Sequence, residues 1–448
     1  MPGKKSLRMV KGGVPGPKAR AVIKRTAESI SPSIARDDPL VVESAHGSVV
    51  TDVDGNRFID FSSGIAVLST GSTHPKVVAA AKRQLEKFIH FSYTDFYYEN
   101  LVTLAEELCE LAPGDAPKKV YWGNSGAEAI EAAMKLARNY TKRPVFLAHS
   151  GAFHGRTMGS LSLTASKPIQ RKGAFPMVPE VVHFPFPYCY RCPWKQTFPE
   201  CDYYCVDYFK EQYLDKFVPI EDVAAYFFEP FQGEGGYVIP PPDYFRRMEF
   251  MRKEGVLFVA DEVQTGIGRS GKFFAVEHFG LVPDVISFAK GVASGFPLGG
   301  IVASAEVMDS WTPGQHASTF GANPVAIEAG LATLEVINSE KLMENATKMG
   351  GIAMKRLEEI KEDYEIVGDV RGKGLFIGVE MVKDKKTKER GIRESQAVTR
   401  ECFKEGLILI TAGRNTLRVI PPLNVSRDEL EEGLDVMESA IAKVDEGA

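Results

Sequence analysis

The sequence predicts an α/β protein, with a large domain built on a mainly parallel sheet and a smaller α+β domain after it. Two patterns and one shift in composition predict this. Short runs of aliphatic, β-branched and aromatic residues at 145–148, 223–228, 256–260 and 285–289 read as buried strands, with helical patterns between them. Three of these runs stop at a charge: Glu229, Asp261 and Lys290. Asp261 and Lys290 are separated by about one crossover unit, so both fall at one edge of a parallel sheet, the edge where open α/β sheets bind ligands. From about Glu335 the pattern shifts to charged amphipathic helices and short strands, which marks the second domain.

At 448 residues the chain exceeds one ordinary core. It divides into an N-terminal arm and small-domain segment (1–60), a large domain (61–335) with a cysteine-containing insertion at about 186–208, and a small C-terminal domain (336–448). Hydrophobic content of 44% and charged content of 25% belong to a soluble globular protein. A net charge of −5 lacks the basic face of a nucleic-acid binder. No apolar run is long enough to span a bilayer, and the basic N-terminus lacks the apolar core of a secretion signal. A cytoplasmic enzyme that engages neither nucleic acid nor membrane is expected.

The elements follow in order. Residues 1–38 form a basic, Gly/Pro-punctuated arm with a short helix at 19–29. Such arms pack on a partner subunit or stay disordered at the extreme end. Alternation on either side of Asp54-Gly55 makes 48–60 a hairpin. His74-Pro75 opens a helix to about Lys87, and 99–111 is another, with Asp95 ahead of it as either a helix cap or a pocket residue. A strand at 119–122 turns into a helix reaching Tyr140. Ser125 and Glu128 make an S-x-x-E capping box there, and the unpaired N–H groups of that helix end suit a phosphate. Cys189, Cys192, Cys201 and Cys205 cluster in the insertion. Such a cluster can hold zinc or form disulfides, but the second pair is loosely spaced, and a structural loop without metal is expected. Cys109 and Cys402 read as core. A helix at 341–361, strands at 375–382 and 407–410, and an amphipathic helix at 427–444 complete the chain.

The chemistry starts at Phe288-Ala289-Lys290-Gly291. A lysine in such apolar, glycine-flanked sequence is placed to lose its proton and form a Schiff base. Asp261 is the partner that a pyridinium nitrogen needs.

The segment DEVQTGIGRSGKFFAVEHFGLVPDVISFAKG (261–291) resembles the signature of the class III, ornithine- and 4-aminobutyrate-type aminotransferases. The resemblance continues in NSGAEA (124–129), FHGRT (153–157), EPFQGEGG (229–236), STFGANP (318–324), RGKGLFIGVE (371–380) and LRVIPPL (417–423), in the family's order. It implies the type I fold of pyridoxal-phosphate-dependent transferases and a homodimer, or dimer of dimers, with shared active sites. It implies that Lys290 holds pyridoxal 5'-phosphate and that Asp261 pairs with the ring nitrogen. Glu229 is implied near the phenolic side of the cofactor. Ser125, Gly126 and Ala127 are assigned to the phosphate, with Thr319 reaching the partner's phosphate. Phe153 takes the ring-stacking place where many relatives have tyrosine, and His154, Val263 and Gln264 complete the cofactor's surroundings.

On the substrate side the resemblance implies Ile65 at the pocket wall and Arg156 on the distal carboxylate. Arg418 is implied on the α-carboxylate of glutamate or 2-oxoglutarate, with Glu234 as its counter-ion. Ile65 also reads as a buried core residue, and Arg156 as a surface one. The expected reaction moves the ω-amino group of ornithine, lysine or 4-aminobutyrate to 2-oxoglutarate. Ile65 resembles the 4-aminobutyrate enzymes, whereas Asp95, if it faces the pocket, favours ornithine or lysine. The alternatives are a racemase of the same family, which shares the cysteine insertion, and a non-enzymatic chain. An aspartate at 234 would favour the racemase and loss of Lys290 or Asp261 the non-enzymatic chain; this sequence has Glu234, Lys290 and Asp261.

Overall fold

Runs that are apolar at every position, rather than at alternate ones, build strands covered on both faces. The computed structural model describes residues 6–447. Its central seven-stranded sheet contains β1 (Lys118–Gly123), β2 (Val145–Ser150), β3 (Val181–Pro185), β4 (Val223–Phe228), β5 (Leu257–Asp261), β6 (Val285–Phe288) and β7 (Gly299–Ser304). The spatial order is β1-β7-β6-β5-β4-β2-β3. β7 runs antiparallel to β1 and β6, and the remaining pairings are parallel. Every residue of β4, β5 and β6 is buried. Helix α1 (Gly126–Thr141) covers one face with Ala129, Ile130, Ala132, Ala133, Leu136 and Ala137, mostly side chains small enough to let it lie close. This winding brings the carboxyl ends of β1, β2, β4, β5 and β6 to one edge.

The hairpin forms as expected, from strands Val49–Asp52 and Arg57–Asp60. The Asp52 carboxylate accepts the Asn56 N–H at 2.7 Å and the Asp54 N–H at 3.0 Å across the turn. The expected single strand at 407–410 is instead split between two sheets. Leu407–Ile408 pairs in parallel with Arg57–Asp60, whereas Ile410–Ala412 joins a sheet of Val367–Lys373, Phe376–Asp384 and Thr416–Val419. The run is apolar throughout, so its pattern does not reveal where the pairing partner changes.

Two expectations are corrected, the start of the arm helix and the role of Asp95. The arm from Ser6 onward contacts its own chain: Met9 bridges to Arg57, and the Leu7 N–H donates to Glu432 at 3.1 Å. Its first residues, 1–5, lie outside the described residues. The arm helix starts at Pro17, because the Asp54 carboxylate from the hairpin turn accepts the Lys18 and Ala19 N–H groups at 3.0 and 2.9 Å. Asp95 does not cap the helix Glu99–Leu111. Tyr98 holds that position without a side-chain bond, and Asp95 is exposed, accepting the Thr94 hydroxyl at 3.0 Å.

The insertion is gripped by the second sheet. Buried Glu380 accepts hydrogen bonds from the Tyr188 hydroxyl and Arg191 and lies 2.8 Å from Arg371. Arg371 in turn donates to the Gly236 and Tyr237 carbonyls at 3.2 and 3.0 Å. The insertion, the second sheet and the loop after β4 thus share one buried carboxylate. Cys189, Cys192, Cys201 and Cys205 are free thiols around one small cavity. Among the described residues no group of side chains is arranged to hold a metal, and no helix is long and apolar enough to cross a membrane. Replacing Glu380 with Gln leaves Arg371 and Arg191 short of a buried counter-ion. The expected loss is about 3 kcal/mol, read as a lower urea midpoint at unchanged slope; an unchanged midpoint contradicts the grip.

Candidate active site

The strand ends converge on a cavity of about 460 Å³. Ser125, Gly126, Ala127, Phe153, His154, Arg156, Glu229, Glu234, Asp261, Val263, Gln264 and Lys290 all line it. Ile65, Asp95, Thr319 and Arg418 do not.

Asp261, the last residue of β5, is fixed on both oxygens. Oδ2 lies 2.7 Å from His154 Nδ1, and Oδ1 accepts the Val263 N–H at 3.1 Å and the Ser287 hydroxyl at 3.2 Å. His154 is buried; burial works against its charge, but the hydrogen bond and charge of Asp261 outweigh it and raise the ring's pKa. Glu229, just beyond β4, accepts the Phe153 and Gly233 N–H groups at 3.1 and 3.0 Å. Burial, reinforced by Asp261, pushes its carboxyl up to about 7 against the pull of His154 and these N–H groups.

Lys290 follows β6 with a backbone φ of 46°, left-handed and therefore strained by about 1–3 kcal/mol. Burial, with Arg418 adding to it, brings its amine down to about 8 despite Asp261, Glu234 and Glu229. A buried lysine with a lowered pKa is a nucleophile in waiting.

At the amino end of α1 the Ser125 hydroxyl accepts the Glu128 N–H at 3.2 Å. The Glu128 carboxylate reaches back to the Asn124 N–H, one residue beyond the expected box. The N–H groups of Gly126 and Ala127 precede the first intrahelical bond and are available to an anion. Gly126 is required by contact, since a Cβ there would stand 2.8 Å from Val263 Cγ1.

Glu234 carries the cavity's other polar wall. It pairs with Arg418, whose Nε donates to the Thr411 carbonyl at 2.8 Å and whose Nη1 is buried without a hydrogen-bond partner among the described residues. Arg418 therefore meets the cavity through Glu234. Burial disfavours the Glu234 charge, but Arg418 and then Lys167 hold the carboxyl below its ordinary range. Arg156 stands at the mouth, its guanidinium carbon 5.5 Å from the centre of the Phe153 ring.

Ile65 lies in a left-handed turn, Ser63 to Ala66, with φ of 68° at this β-branched residue. It is half exposed rather than core, and Val67 lines the cavity instead. Asp95 and Thr319 are exposed and outside their own chain's cavity. Sequence reasoning missed Ser287, Thr164, Tyr237 and Lys167. The Thr164 hydroxyl accepts the His154 N–H at 2.9 Å, and the Tyr237 hydroxyl donates to Gln264 at 2.8 Å. Ser287 carried a signal, as the polar residue of an apolar strand; in register it sits opposite Asp261. The others carried none.

These residues fit pyridoxal phosphate. An anion site at a helix end, a fixed carboxylate, an aromatic wall and a buried amine of low pKa surround one cavity. Neutral Lys290 amine gains ground from about pH 8 rather than 10.5. The rate at which the cofactor-stripped protein takes up pyridoxal phosphate should therefore rise through about pH 8; a midpoint near 10.5 contradicts this environment.

Residues 33–441 match the family described as aminotransferase class-III. A leucine/methionine racemase of Thermococcus litoralis is 43% identical over 91% of this chain and 92% of its own. A probable 4-aminobutyrate aminotransferase of Bacillus subtilis is 38% identical over 92% of this chain and 95% of its own. A pyridoxal-phosphate-bound amine transaminase from an uncultivated Pseudomonas species superposes with a TM-score of 0.85 at 30% identity, covering 93% of this chain and 98% of that one. The chain belongs to the class III aminotransferases, pyridoxal-phosphate-dependent enzymes of fold type I.

Proposed function

We propose that this enzyme moves the ω-amino group of an ω-amino acid (ornithine, lysine or 4-aminobutyrate) to 2-oxoglutarate, giving a semialdehyde and glutamate. It acts in the cytoplasm as a homodimer with shared sites. The observation that carries the reading is the buried Arg418–Glu234 pair at the cavity wall. An ω-amino donor has no carboxylate beside its reacting carbon, and a bare buried Arg418 would then cost about 3–5 kcal/mol. Glu234 supplies the counter-charge for that half-reaction. When glutamate or 2-oxoglutarate binds, its α-carboxylate takes the place of Glu234, and the unpartnered Nη1 offers a second donor for a bidentate contact. Arg156 at the mouth offers a flat, permanent cation to the distal carboxylate that both substrates carry.

Bound pyridoxal phosphate supplies an electron sink for the pair left when the substrate carbon loses its proton. Lys290 would hold the cofactor and, once displaced by the incoming amine, take and return that proton as general base and acid. Asp261, braced by His154, Ser287 and the Val263 N–H, would keep a proton on the ring nitrogen. Gly126 and Ala127 would take the phosphate through their N–H groups, and Phe153 would cover the ring face.

Preference for ornithine rests on Asp95, which would have to act in the partner's cavity. Its segment carries exposed Phe91, Phe96 and Tyr97, and Phe320 beside Thr319 is 65% exposed. Such an aromatic surface supports a subunit interface. A racemase is the second reading, favoured by the Thermococcus litoralis relative. The long Glu234, held on Arg418, argues for transfer.

Holoenzyme mixed with ornithine, lysine, 4-aminobutyrate or L-leucine, without keto acid, should lose its bound-cofactor absorbance fastest with an ω-amino donor. Persistence of the band while L-leucine becomes racemic would overturn the proposal. Glu234→Ala should slow the ω-amino half-reaction about 200- to 5,000-fold relative to that of glutamate. Equal slowing of both would remove the case for the Arg418–Glu234 exchange.

A further inference from the structure

We infer that Lys167 is a positioning residue that receives Glu234 when an α-carboxylate displaces it from Arg418. Lys167 thereby sets the enzyme's affinity for glutamate and 2-oxoglutarate. The inference rests on the Arg418–Glu234 exchange proposed above and assigns it a second partner.

Glu234 is bridged: Oε1 faces Arg418, and Oε2 lies 3.3 Å from Lys167 Nζ. The two cations differ in mobility. Arg418 is buried and tied to the Thr411 carbonyl, so it cannot follow the carboxylate. Lys167 is a compact charge on a flexible stem, its side chain 31% exposed, and it can. The backbone under Glu234 is held as well. Its carbonyl accepts the Gly413 N–H at 2.8 Å, and Arg371 grips Gly236 and Tyr237. With the backbone fixed, release from Arg418 is a rotation of the Glu234 side chain alone. A carboxylate turned away inside a half-buried wall would be unpaired and costly. Lys167 already touches one of its oxygens, so the carboxylate leaves one cation while keeping the other. The hollow beside Lys167 also carries Arg171 and Lys172, so the departing charge moves toward a positive surface.

The ω-amino half-reaction needs Glu234 on Arg418 and gains nothing from Lys167. The glutamate half-reaction needs Glu234 away and loses its acceptor when Lys167 is removed. Single-turnover half-reactions of Lys167→Met holoenzyme, with glutamate and with the fastest ω-amino donor of the wild type, read this asymmetry. The expected result is about five- to tenfold weaker apparent binding of glutamate at an unchanged limiting rate. The ω-amino donor should bind as tightly as before or tighter, and Lys167→Arg should restore glutamate binding. In a Glu234→Gln background, removal of Lys167 should add nothing.

Equal weakening of both donors would overturn the inference, because it would mean that Lys167 meets their shared distal carboxylate. Weakening that persists in Glu234→Gln overturns it too, as does no change at all, the result for an ordinary solvated pair. If wild-type enzyme converts neither glutamate nor any ω-amino donor, transfer itself is refuted. If both are converted but Glu234→Gln treats them alike, the exchange at Arg418 is refuted. Either result takes the Lys167 assignment with it.

Discussion

Burial of opposed charges at one sheet edge is the constraint on which the rest of the structure depends. Asp261, Glu229, His154 and Arg418 are buried there and Glu234 and Lys290 partly so, and a buried charge without a counter-charge carries a large penalty. All but Lys290 are held by a neighbour from another segment of the chain. Asp261 from β5 takes His154 from the loop after β2, and Glu234 from the loop after β4 takes Arg418 from the second sheet. The same burial that makes these groups costly tunes them. It lowers Lys290 and raises Glu229 until both titrate near neutral pH, where proton transfer is useful.

The site therefore extends beyond the central sheet. The Glu234 loop is held on one side by Tyr237, which reaches Gln264, and on the other by Arg371. Arg371 is set in turn by Glu380, on which the insertion's Tyr188 and Arg191 also close. The cysteine-bearing insertion is thus linked to the site loop through one buried carboxylate. A rigid backbone with a mobile side chain is what a carboxylate that must change partners requires. Rigidity on the cofactor side has a different source, in the left-handed backbone at Lys290 and the contact of Gly126 with Val263.

Sequence by itself determined the strands of the central sheet, the helix at the phosphate end, the hairpin and the family. Local pattern also marked Glu229, Asp261, Lys290 and the Ser125 helix end, because apolar period, capping chemistry and strand-end charges are local properties. The other residues that ring the cavity were implied only by the family resemblance, and Ile65, Asp95, Thr319 and Arg418, implied with them, do not line it. Asp261 and Lys290 could be placed at one edge because a parallel crossover has only one geometry. Tertiary structure alone decided three things. It split the 407–410 run between two sheets, since a run buried on all sides does not encode its neighbours. It drew the arm onto the hairpin through Asp54 and onto the C-terminal helix through Glu432, partners far away in sequence. And it set Lys167 against Glu234, a contact between two loops that no periodicity records. Hydrogen bonds and ion pairs between remote segments depend on angstrom-scale approach of side chains, and that approach exists only after the core has packed.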